Sequence, residues 1–398
     1  RPLRNRLKET ELVSVFFCSK FYMKSYSNHV AIIGAGIAGL TLGNILKVNN
    51  IPCVVFEKSN NIKEQGAGIS ISSNGLRVLD YLNVMEAFNN VSRQPNKAIF
   101  FSNNNIINNI STDVTTASRR NLYKVLLDNY LSLKGEIYFN HELQNINQDR
   151  NIIYFSNNNS YRVGHIAACD GIKSTCQSIL STSYDKPKYS GYYVWRTIFE
   201  SDQENIHFHL GANFHVVTYP IDKKRISLVA AIKSKNKEIE SWKQEGTLED
   251  LLTEVPHYIT NRYQSIKKND GVYKWGVYIR PNAITLIDKN ISYLGDSAHP
   301  MVPFIGQGAC MSLEDAYTYG YMLSKYNNDL PKAQNEYNKF RINRVQSIYT
   351  KSLNQGKLNH LSNPFLVYLR NILMKYTNVI KNQTNQIWSY DVTSILKK

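Results

Sequence analysis

Residues His29–Glu57 read HVAIIGAGIAGLTLGNILKVNNIPCVVFE, and this stretch decides the fold. The apolar run His29–Ile33 predicts a strand that is covered on both faces, and Leu40–Val48 has the apolar spacing of a helix. Ile51–Phe56 predicts a second buried strand, so the order is strand, turn, helix, strand. We therefore expect a βαβ unit at the start of an α/β domain.

The turn between the first strand and the helix matches the pattern G-x-G-x-x-G, with glycines at Gly34, Gly36 and Gly39. Gly34 permits a tight turn, Gly36 lets the backbone approach a pyrophosphate, and Gly39 lets the helix pack closely on the strand. Glu57 follows the second strand, 18 residues after Gly39 (57 − 39), where an acid binds a ribose hydroxyl. The pattern predicts a dinucleotide with an unphosphorylated adenosine ribose, FAD or NAD rather than NADP.

A second Gly-rich segment, Gly295–Ala309, reads GDSAHPMVPFIGQGA and follows a short apolar strand that ends at Leu294. Asp296 is expected at the carboxyl end of that strand, where an acid hydrogen-bonds a ribityl or ribose hydroxyl. Gly306 and Gly308 open a helix, and a helix N-terminus holds an anionic group such as a flavin edge. Both features suit a bound flavin nucleotide.

The pattern of elements divides the chain into five parts. They are an N-terminal extension (1–28), a first part of the cofactor domain (29–184), a substrate-binding β-sheet domain (185–280), a second part of the cofactor domain (281–330) and a helical C-terminal region (331–398). In 185–280, β-branched and aromatic runs between turns predict a mostly antiparallel sheet. Ala98–Phe101 and Ile106–Ile110 predict a hairpin, and Ser118 is expected to cap a helix from Arg119 to Leu133.

The composition is that of a globular protein, with 398 residues, 42% hydrophobic residues and a net charge of +16. The basic residues are dispersed, so we attribute the positive charge mostly to composition and expect no nucleic-acid partner. The second interpretation is that the charge attracts an anionic substrate or NAD(P)H. Five scattered cysteines predict reduced thiols, a cytoplasmic location and no metal site. No apolar run approaches the roughly 20 residues that span a bilayer, and we expect a monomer or homodimer.

The segment Pro364–Tyr376 has the pattern of a basic amphipathic helix. Two interpretations stay open for it. Packing against the cofactor domain is the default for such a helix, and binding to a membrane surface is the alternative.

The chain resembles the single-component flavoprotein hydroxylases of the p-hydroxybenzoate hydroxylase type. Gly295–Ala309 carries the family's GD…P…GQG motif, Cys169–Ser174 carries its Asp-Gly motif, and Ser118–Leu122 matches its S-R-x-x-L pattern. The resemblance covers roughly residues 29–350. It implies an α/β fold, with a Rossmann-like FAD-binding domain, a β-sheet substrate domain and a helical C-terminus.

The same resemblance implies a set of FAD contacts, carried over by motif. They are Gly34, Gly36, Ala38, Gly39, Glu57, Lys58, Ser70, Arg119, Asp170, Asp296, Gly306, Gln307, Gly308, Ala309 and Cys310. Asp170 is implied in handling NADH or NADPH, the co-substrate, as well. The chain departs from the family at Gln177, where an Arg usually stands three residues after Ser174. A cationic contact to the nicotinamide co-substrate is therefore missing or supplied elsewhere.

His215 and Tyr219 lie four residues apart on a predicted strand, so their side chains face the same side. The chain is similar here to hydroxylases of 3-hydroxybenzoate and 6-hydroxynicotinate, which share the His-x-x-x-Tyr pair, whereas urate hydroxylases carry Arg. The resemblance implies that His215 takes a phenolic proton with Tyr219 beside it, and that Arg196 orients a substrate carboxylate. From the residues alone, a partly buried sheet histidine and an ordinary sheet-edge arginine stay open.

The function that the resemblance implies is an FAD-dependent monooxygenase. NAD(P)H reduces FAD, O2 adds to give a C4a-hydroperoxide, and one oxygen atom enters a small aromatic or heteroaromatic substrate. Two alternatives stay open. One is inactivation of an antibiotic such as a tetracycline, and the other is an FAD-binding protein with little hydroxylase activity.

Overall fold

The computed structural model describes residues 24–60, 67–180, 186–236, 238, 245–263, 271–281 and 284–397. Most of the predicted N-terminal extension, residues 1–23, lies outside the described residues.

The strands are, in chain order, β1 (Ser25–Ile33), β2 (Cys53–Phe56), β3 (Gly68–Ser72), β4 (Ser92–Arg93), β5 (Lys97–Ser102), β6 (Asn105–Ser111), β7 (Val114–Ser118), β8 (Glu136–Tyr138), β9 (Leu143–Asn147), β10 (Ile152–Phe155), β11 (Ser160–Ala168), β12 (Lys188–Glu200), β13 (Ile206–Gly211), β14 (Phe214–Pro220), β15 (Arg225–Lys233), β16 (Glu245–Gly246), β17 (Val272–Ile279), β18 (Ile287–Asp288) and β19 (Ile291–Tyr293).

The helices are α1 (Ile37–Val48), α2 (Ser73–Tyr81), α3 (Met85–Asn89), α4 (Arg119–Ser132), α5 (Thr175–Leu180), α6 (Leu248–Glu254), α7 (His257–Thr260), α8 (Gly308–Lys325), α9 (Leu330–Asn359), α10 (Pro364–Tyr376), α11 (Val379–Trp388) and α12 (Val392–Ile395). Single 3-10 turns occupy Asn261–Tyr263, Gly295–Ser297 and Pro303–Ile305.

The first sheet has the strand order β18-β19-β11-β1-β2-β8, and β9 and β10 join it through β11. The pairs β19–β11, β11–β1, β1–β2 and β2–β8 are parallel. The end of β1, from Val30 to Ile33, is buried, as expected for a strand that is covered on both faces. The predicted βαβ unit at the start of the chain is confirmed, and β1 begins four residues before the predicted start of the strand.

The second sheet has the order β16-β17-β12-β15-β14-β13-β5-β6. Its pairs are antiparallel except for β13 with β5, which run parallel. The predicted hairpin is confirmed as β5–β6, and it forms one edge of this sheet although it precedes the other strands by about 75 residues or more in the chain. The mostly antiparallel sheet is likewise as predicted.

Two local predictions on the helices are confirmed. The Ser118 side chain accepts a hydrogen bond from the backbone N–H of Asn121 and so caps α4. From Leu330 onwards the described chain is almost wholly helical, as α9 to α12. None of the described helices is long and apolar enough to cross a membrane. The five-part division of the chain stays a prediction.

Candidate FAD and substrate site

A cavity of about 500 Å³ lies between the first and second sheets, and β3, of a third sheet with the order β3-β7-β4, also borders it. We call its first side the floor, formed by the turn before α1, strand β3, the start of α4 and the segment from Asp296 to the start of α8. We call its other side the roof, the face of the second sheet that carries His215. The predicted site residues that line the cavity are Gly36, Ala38, Ser70, Arg119, Arg196, His215, Tyr219, Asp296, Gly306, Gln307, Gly308 and Ala309. Gly34, Gly39, Glu57, Lys58, Asp170 and Cys310 do not line it.

The three glycines of the first turn differ in the space that surrounds each of them. Gly34 has φ +100°, and a Cβ there would lie 2.5 Å from the carbonyl oxygen of Cys169. A Cβ on Gly39 would lie 1.9 Å from the carbonyl oxygen of Gly34, because α1 crosses the turn closely. A Cβ on Gly36 would meet no atom within 4 Å, so this residue borders open space in the cavity. Only Gly36 is therefore placed for close approach of a ligand.

Glu57 follows β2 and lies beside the glycine turn. One of its carboxylate oxygens accepts a hydrogen bond from the Ala35 backbone N–H at 2.8 Å, and the other accepts from the Ser59 N–H at 2.9 Å. These bonds hold the carboxylate at the edge of the turn, where the sequence pattern expects a ribose. Lys58 is exposed on the surface next to it.

Asp296 begins the second part of the floor. Its side chain is enclosed by protein yet exposed to the cavity, and desolvation there raises the pKa of its carboxyl, with Arg119 acting in the opposite direction. Gly306 has φ +63°, and a Cβ on it would lie 3.1 Å from Ser70 Oγ. The loop and β3 thus close around the same space, and α8 begins there with its first N–H groups toward the cavity.

A buried polar network holds this loop from behind. Glu314 and Asp315 are fully buried on α8, and Arg341 of α9 donates to both, at 2.6 Å and 2.8 Å. Asp315 also accepts from the Gly295 N–H at 2.9 Å and from His299 at 2.5 Å. Burial alone would raise the Asp315 pKa, but His299 and Arg341 lower it below its usual value. The Asp315 carboxylate therefore stays ionised, and its bonds to Gly295 and His299 fix the loop that carries Asp296.

Gln307 and Cys310 sit at the start of α8 and have different surroundings. The Gln307 side chain donates to Ser72 Oγ at 2.9 Å and accepts from Asn74 at 3.0 Å. The Cys310 thiol lies 3.5 Å from the same Ser72 oxygen and points behind the floor. Both residues tie α8 to α2, but only Gln307 borders the cavity.

Asp170 lies at the end of β11, next to the glycine turn. One carboxylate oxygen accepts from the Cys176 N–H at 3.0 Å, and the other is buried without a partner among the described residues. Burial raises the pKa of this carboxyl. A buried oxygen of this kind is satisfied when a ligand donor reaches it.

Gln177, the position that departs from the family pattern, has a cationic neighbour that the sequence did not indicate. The Gln177 amide donates to the Ser297 carbonyl at 2.7 Å, and Arg280 donates to the same oxygen at 2.6 Å. Arg280 also donates to the carbonyl of Ile172. A guanidinium thus stands beside the Asp-Gly segment, contributed by the end of β17, about 100 residues further along the chain.

The roof places the predicted substrate residues on one face. His215, Val217 and Tyr219 alternate along β14 and all line the cavity, as the spacing predicts. Arg196 enters the cavity from β12, with its guanidinium carbon 5.1 Å from the centre of the Trp275 ring. A Cβ on Gly68 would lie 2.6 Å from the Tyr219 ring, so β3 of the floor touches the roof at this point.

His215 has a partner that sequence reasoning missed. His215 Nδ1 lies 3.2 Å from Nε2 of His360, which caps α9. Nδ1 of His360 lies 2.7 Å from the Gly356 carbonyl, and its Nε2 lies 3.3 Å from the Ala231 carbonyl. Both histidines are buried, and burial lowers the pKa of both. No motif surrounds His360, so no sequence signal connected it to His215.

The described residues fit a bound FAD. The open space at Gly36 and the helix start at Gly308 lie along one side of the cavity. The unpartnered oxygen of Asp170 belongs to the segment beside the glycine turn. They offer backbone N–H groups for phosphates and acceptors for hydroxyl or ring N–H groups.

A family model described as an FAD binding domain matches residues 27–351. The 3-amino-4-hydroxybenzoate 2-monooxygenase of Streptomyces platensis is 25% identical over 85% of this chain and 90% of its own length. The 3-hydroxybenzoate 6-hydroxylase of Klebsiella oxytoca is 26% identical over 83% of this chain and 88% of its own length.

Solved structures show the same fold. HpxO of Klebsiella pneumoniae, in complex with FAD and uric acid, superposes with a TM-score of 0.78 at 20% identity, covering 91% of this chain and 95% of its own. The tetracycline destructase Tet(51) superposes with a TM-score of 0.70 at 16% identity, covering 89% of this chain and 98% of its own. The predicted fold class and cofactor are confirmed by these likenesses and by the family match.

Proposed function

This chain belongs to the FAD-binding domain family and is an FAD-dependent monooxygenase, and we propose that it uses O2 to hydroxylate a small phenolic or related heteroaromatic acid. NADH or NADPH is its co-substrate. Bound FAD supplies the electrons and the activated oxygen. The observation that carries the proposal is the cavity itself, with the flavin-handling residues on its floor and His215, Tyr219 and Arg196 opposite them on its roof.

The floor residues hold the cofactor in this proposal. Gly34, Gly36, Ala38 and Gly39 form the phosphate turn, and Glu57 receives a ribose hydroxyl. Arg119, Asp296, Ser70 and the loop Gly306–Ala309, which line the cavity, would hold the flavin. Asp170 would accept from the cofactor through its unpartnered oxygen. Lys58 and Cys310 would act from outside the cavity, next to Glu57 and behind the start of α8. Arg280 takes over the cationic role that Gln177 lacks.

His215 accepts the phenolic proton of the substrate. A carbonyl only accepts, so His360 Nδ1 donates to Gly356, and in the neutral ring His360 Nε2 accepts from His215 Nδ1–H. Nε2 of His215 is then the unprotonated nitrogen, ready to receive a proton. The low pKa of His215 keeps it in this form at neutral pH.

His360 completes the proton transfer. When His215 Nε2 gains the substrate proton, His215 Nδ1–H passes to His360 Nε2. His360 then carries the positive charge with both N–H groups near carbonyl oxygens, those of Gly356 and Ala231. Two carbonyl acceptors stabilise an imidazolium in an otherwise apolar pocket. The substrate becomes a phenolate, which is more electron-rich and so more easily oxygenated.

Arg196 and Tyr219 hold the substrate in the orientation for attack. The guanidinium binds a carboxylate, and the Tyr219 hydroxyl lies on the same face as His215.

We also place the protein in the cytoplasm, as a monomer or homodimer. The four described cysteines, all free and buried, would stay reduced there.

A substrate screen tests the function. The purified protein should show a flavin absorbance spectrum, and phenolic acids, hydroxynicotinates, urate and tetracyclines are compared for stimulation of NADH and NADPH oxidation. A phenolic or hydroxynicotinic acid should stimulate O2 uptake and gain one oxygen atom from labelled O2. Stimulation by tetracycline alone would replace this function with antibiotic inactivation, and bound FAD without coupled O2 uptake for any compound would reject it.

The variant His215→Ala separates binding from chemistry. It should retain FAD and lose about 10²- to 10⁴-fold in hydroxylation rate, the usual contribution of a general base. His257→Ala is the matched control, since His257 is exposed on α7 away from the cavity. Equal hydroxylation by the two variants would remove His215 from the mechanism.

A further inference from the structure

The outer face of α10 is an unusual surface in this molecule. Of fourteen exposed large hydrophobic side chains in the described chain, seven lie between residues 365 and 379. We define the outer face of α10 by six of them, Phe365, Leu366, Tyr368, Leu369, Leu373 and Tyr376, with exposed fractions of 39% to 72%. Single exposed apolar residues are ordinary, but a contiguous group marks an interaction surface.

The helix has an exposed apolar side and a buried side. At about 100° per residue, the six residues cover one side, and Arg370 and Met374, both buried, lie on the other. The inner side is fixed to the protein, since Asn108 donates to the Met374 carbonyl and Arg370 donates toward the Leu358 carbonyl at 3.4 Å. The outer face is therefore held in place by the fold and has no partner among the described residues.

The charge around this face identifies the class of partner. The sequence has no Asp or Glu between Glu336 and Asp391, and Lys357, Lys375 and Lys381 are exposed on or beside the helix. A second copy of the chain would bring the same positive charges against each other. An apolar face with a cationic rim instead complements a layer with acyl chains below anionic headgroups.

We propose that the outer face of α10 docks the protein on an anionic lipid surface. The helix has 13 residues, about 20 Å, and lies in the plane of the interface. Met374 on its inner side and Ile380 on α11 line the cavity. The docked surface and the cavity are thus separated by one helix. This inference does not depend on the proposed substrate or on the role of His215.

Vesicle co-sedimentation of the full-length, FAD-loaded protein tests the proposal. The vesicles are phosphatidylcholine alone and an equal mixture of phosphatidylcholine and phosphatidylglycerol. We expect binding to the mixed vesicles, weak binding to phosphatidylcholine alone, and release as salt is added. No sedimentation with the mixed vesicles at low salt would overturn the proposal.

Two sets of variants locate the contact. The triple variant Phe365→Ser, Leu369→Ser, Leu373→Ser should lower vesicle binding about tenfold or more. Lys375→Glu with Lys381→Glu should abolish the preference for phosphatidylglycerol. Leu131→Ser, at an exposed apolar residue of α4, is the matched control and should bind as the unchanged protein does.

All variants should keep bound FAD and the thermal midpoint, because the changed side chains are exposed. Light scattering is measured in parallel. A dimer that the triple variant converts to a monomer, without vesicle binding by the parent, would assign this face to a second copy and reject the lipid surface. Vesicle binding that the triple variant leaves unchanged would also reject it.

Discussion

The floor and the roof of the cavity acquire their geometry in different ways. On the floor, backbone segments do most of the work, as where Gly39 packs against Gly34, five residues away. On the roof, single side chains come from separate strands, and His215 is oriented by His360, 145 residues further along the chain. The difference teaches that the floor depends on backbone space, whereas the roof depends on side-chain chemistry.

The largest expected effect tests the floor. Gly39→Ala should abolish FAD binding and lower the free energy of unfolding by about 3 kcal/mol or more, because its Cβ meets the backbone oxygen of Gly34 at 1.9 Å. FAD absorbance per protein and the thermal midpoint measure both effects. Gly36→Ala is the control, since its Cβ meets nothing within 4 Å. It should weaken FAD binding and leave the apoprotein's stability unchanged; equal stability of the two apoproteins would contradict this account.

The second-largest expected effect tests the buried polar network of Glu314, Asp315 and Arg341 behind the floor. Arg341→Met leaves Glu314 and Asp315 buried without their main cation, which should cost about 3–5 kcal/mol of unfolding free energy. Denaturant unfolding measures the loss. Lys339→Met removes a cation that is 74% exposed and should change little. A similar, small change in both variants would show that the network does not hold the loop.

The same network predicts the sign of an acid dependence. The pKa of Asp315 is lowered in the folded protein, so its contribution to stability is complete above the unfolded carboxyl pKa of about 4 and is lost as the pH falls through the folded value. Arg341→Met should reduce this dependence on pH below about 4, which unfolding curves at a series of pH values measure.

The contact between floor and roof gives a smaller effect. Gly68→Ala should push the Tyr219 ring away, because its Cβ would lie 2.6 Å from the ring and 2.6 Å from the Ser227 Cβ. Overpacking of this kind costs about 1–3 kcal/mol, and we expect KM for the substrate to rise about tenfold while FAD stays bound. Adding Ser227→Gly should restore part of the loss. An unchanged KM for Gly68→Ala would mean that Tyr219 does not hold the substrate.

The smallest effect concerns the roof alone. In His360→Gln, the amide oxygen still accepts from His215 Nδ1 but takes up no proton, so turnover should fall about tenfold. The transferred proton comes to rest on His360, so its loss should also shift the acid limb of kcat/KM. In the parent protein that limb should lie below the ordinary histidine pKa of about 6.5. A pH–rate profile identical to the parent's would leave His360 without a role in the proton transfer.

Local signals in the sequence account for what could be predicted. The βαβ unit, the Ser118 cap and the β5–β6 hairpin depend on neighbouring residues, and each is found in the structure. The alternation along β14 also predicted that His215 and Tyr219 share a face. The pairing of β5 with β13 could not be predicted, because parallel pairing between distant strands leaves no local pattern.

The sequence by itself determined the cofactor side of this protein. A bound nucleotide requires glycines at a fixed spacing and an acid after the next strand, and these requirements are short-range. One βαβ unit therefore contains all the residues that meet them, Gly34, Gly36, Gly39 and Glu57. Tertiary structure alone decided that His360 contacts His215 and that α10 turns an apolar face outward. Both follow from how the C-terminal helices pack on the second sheet. Such packing depends on the shapes and burial of many distant side chains, which no short motif encodes.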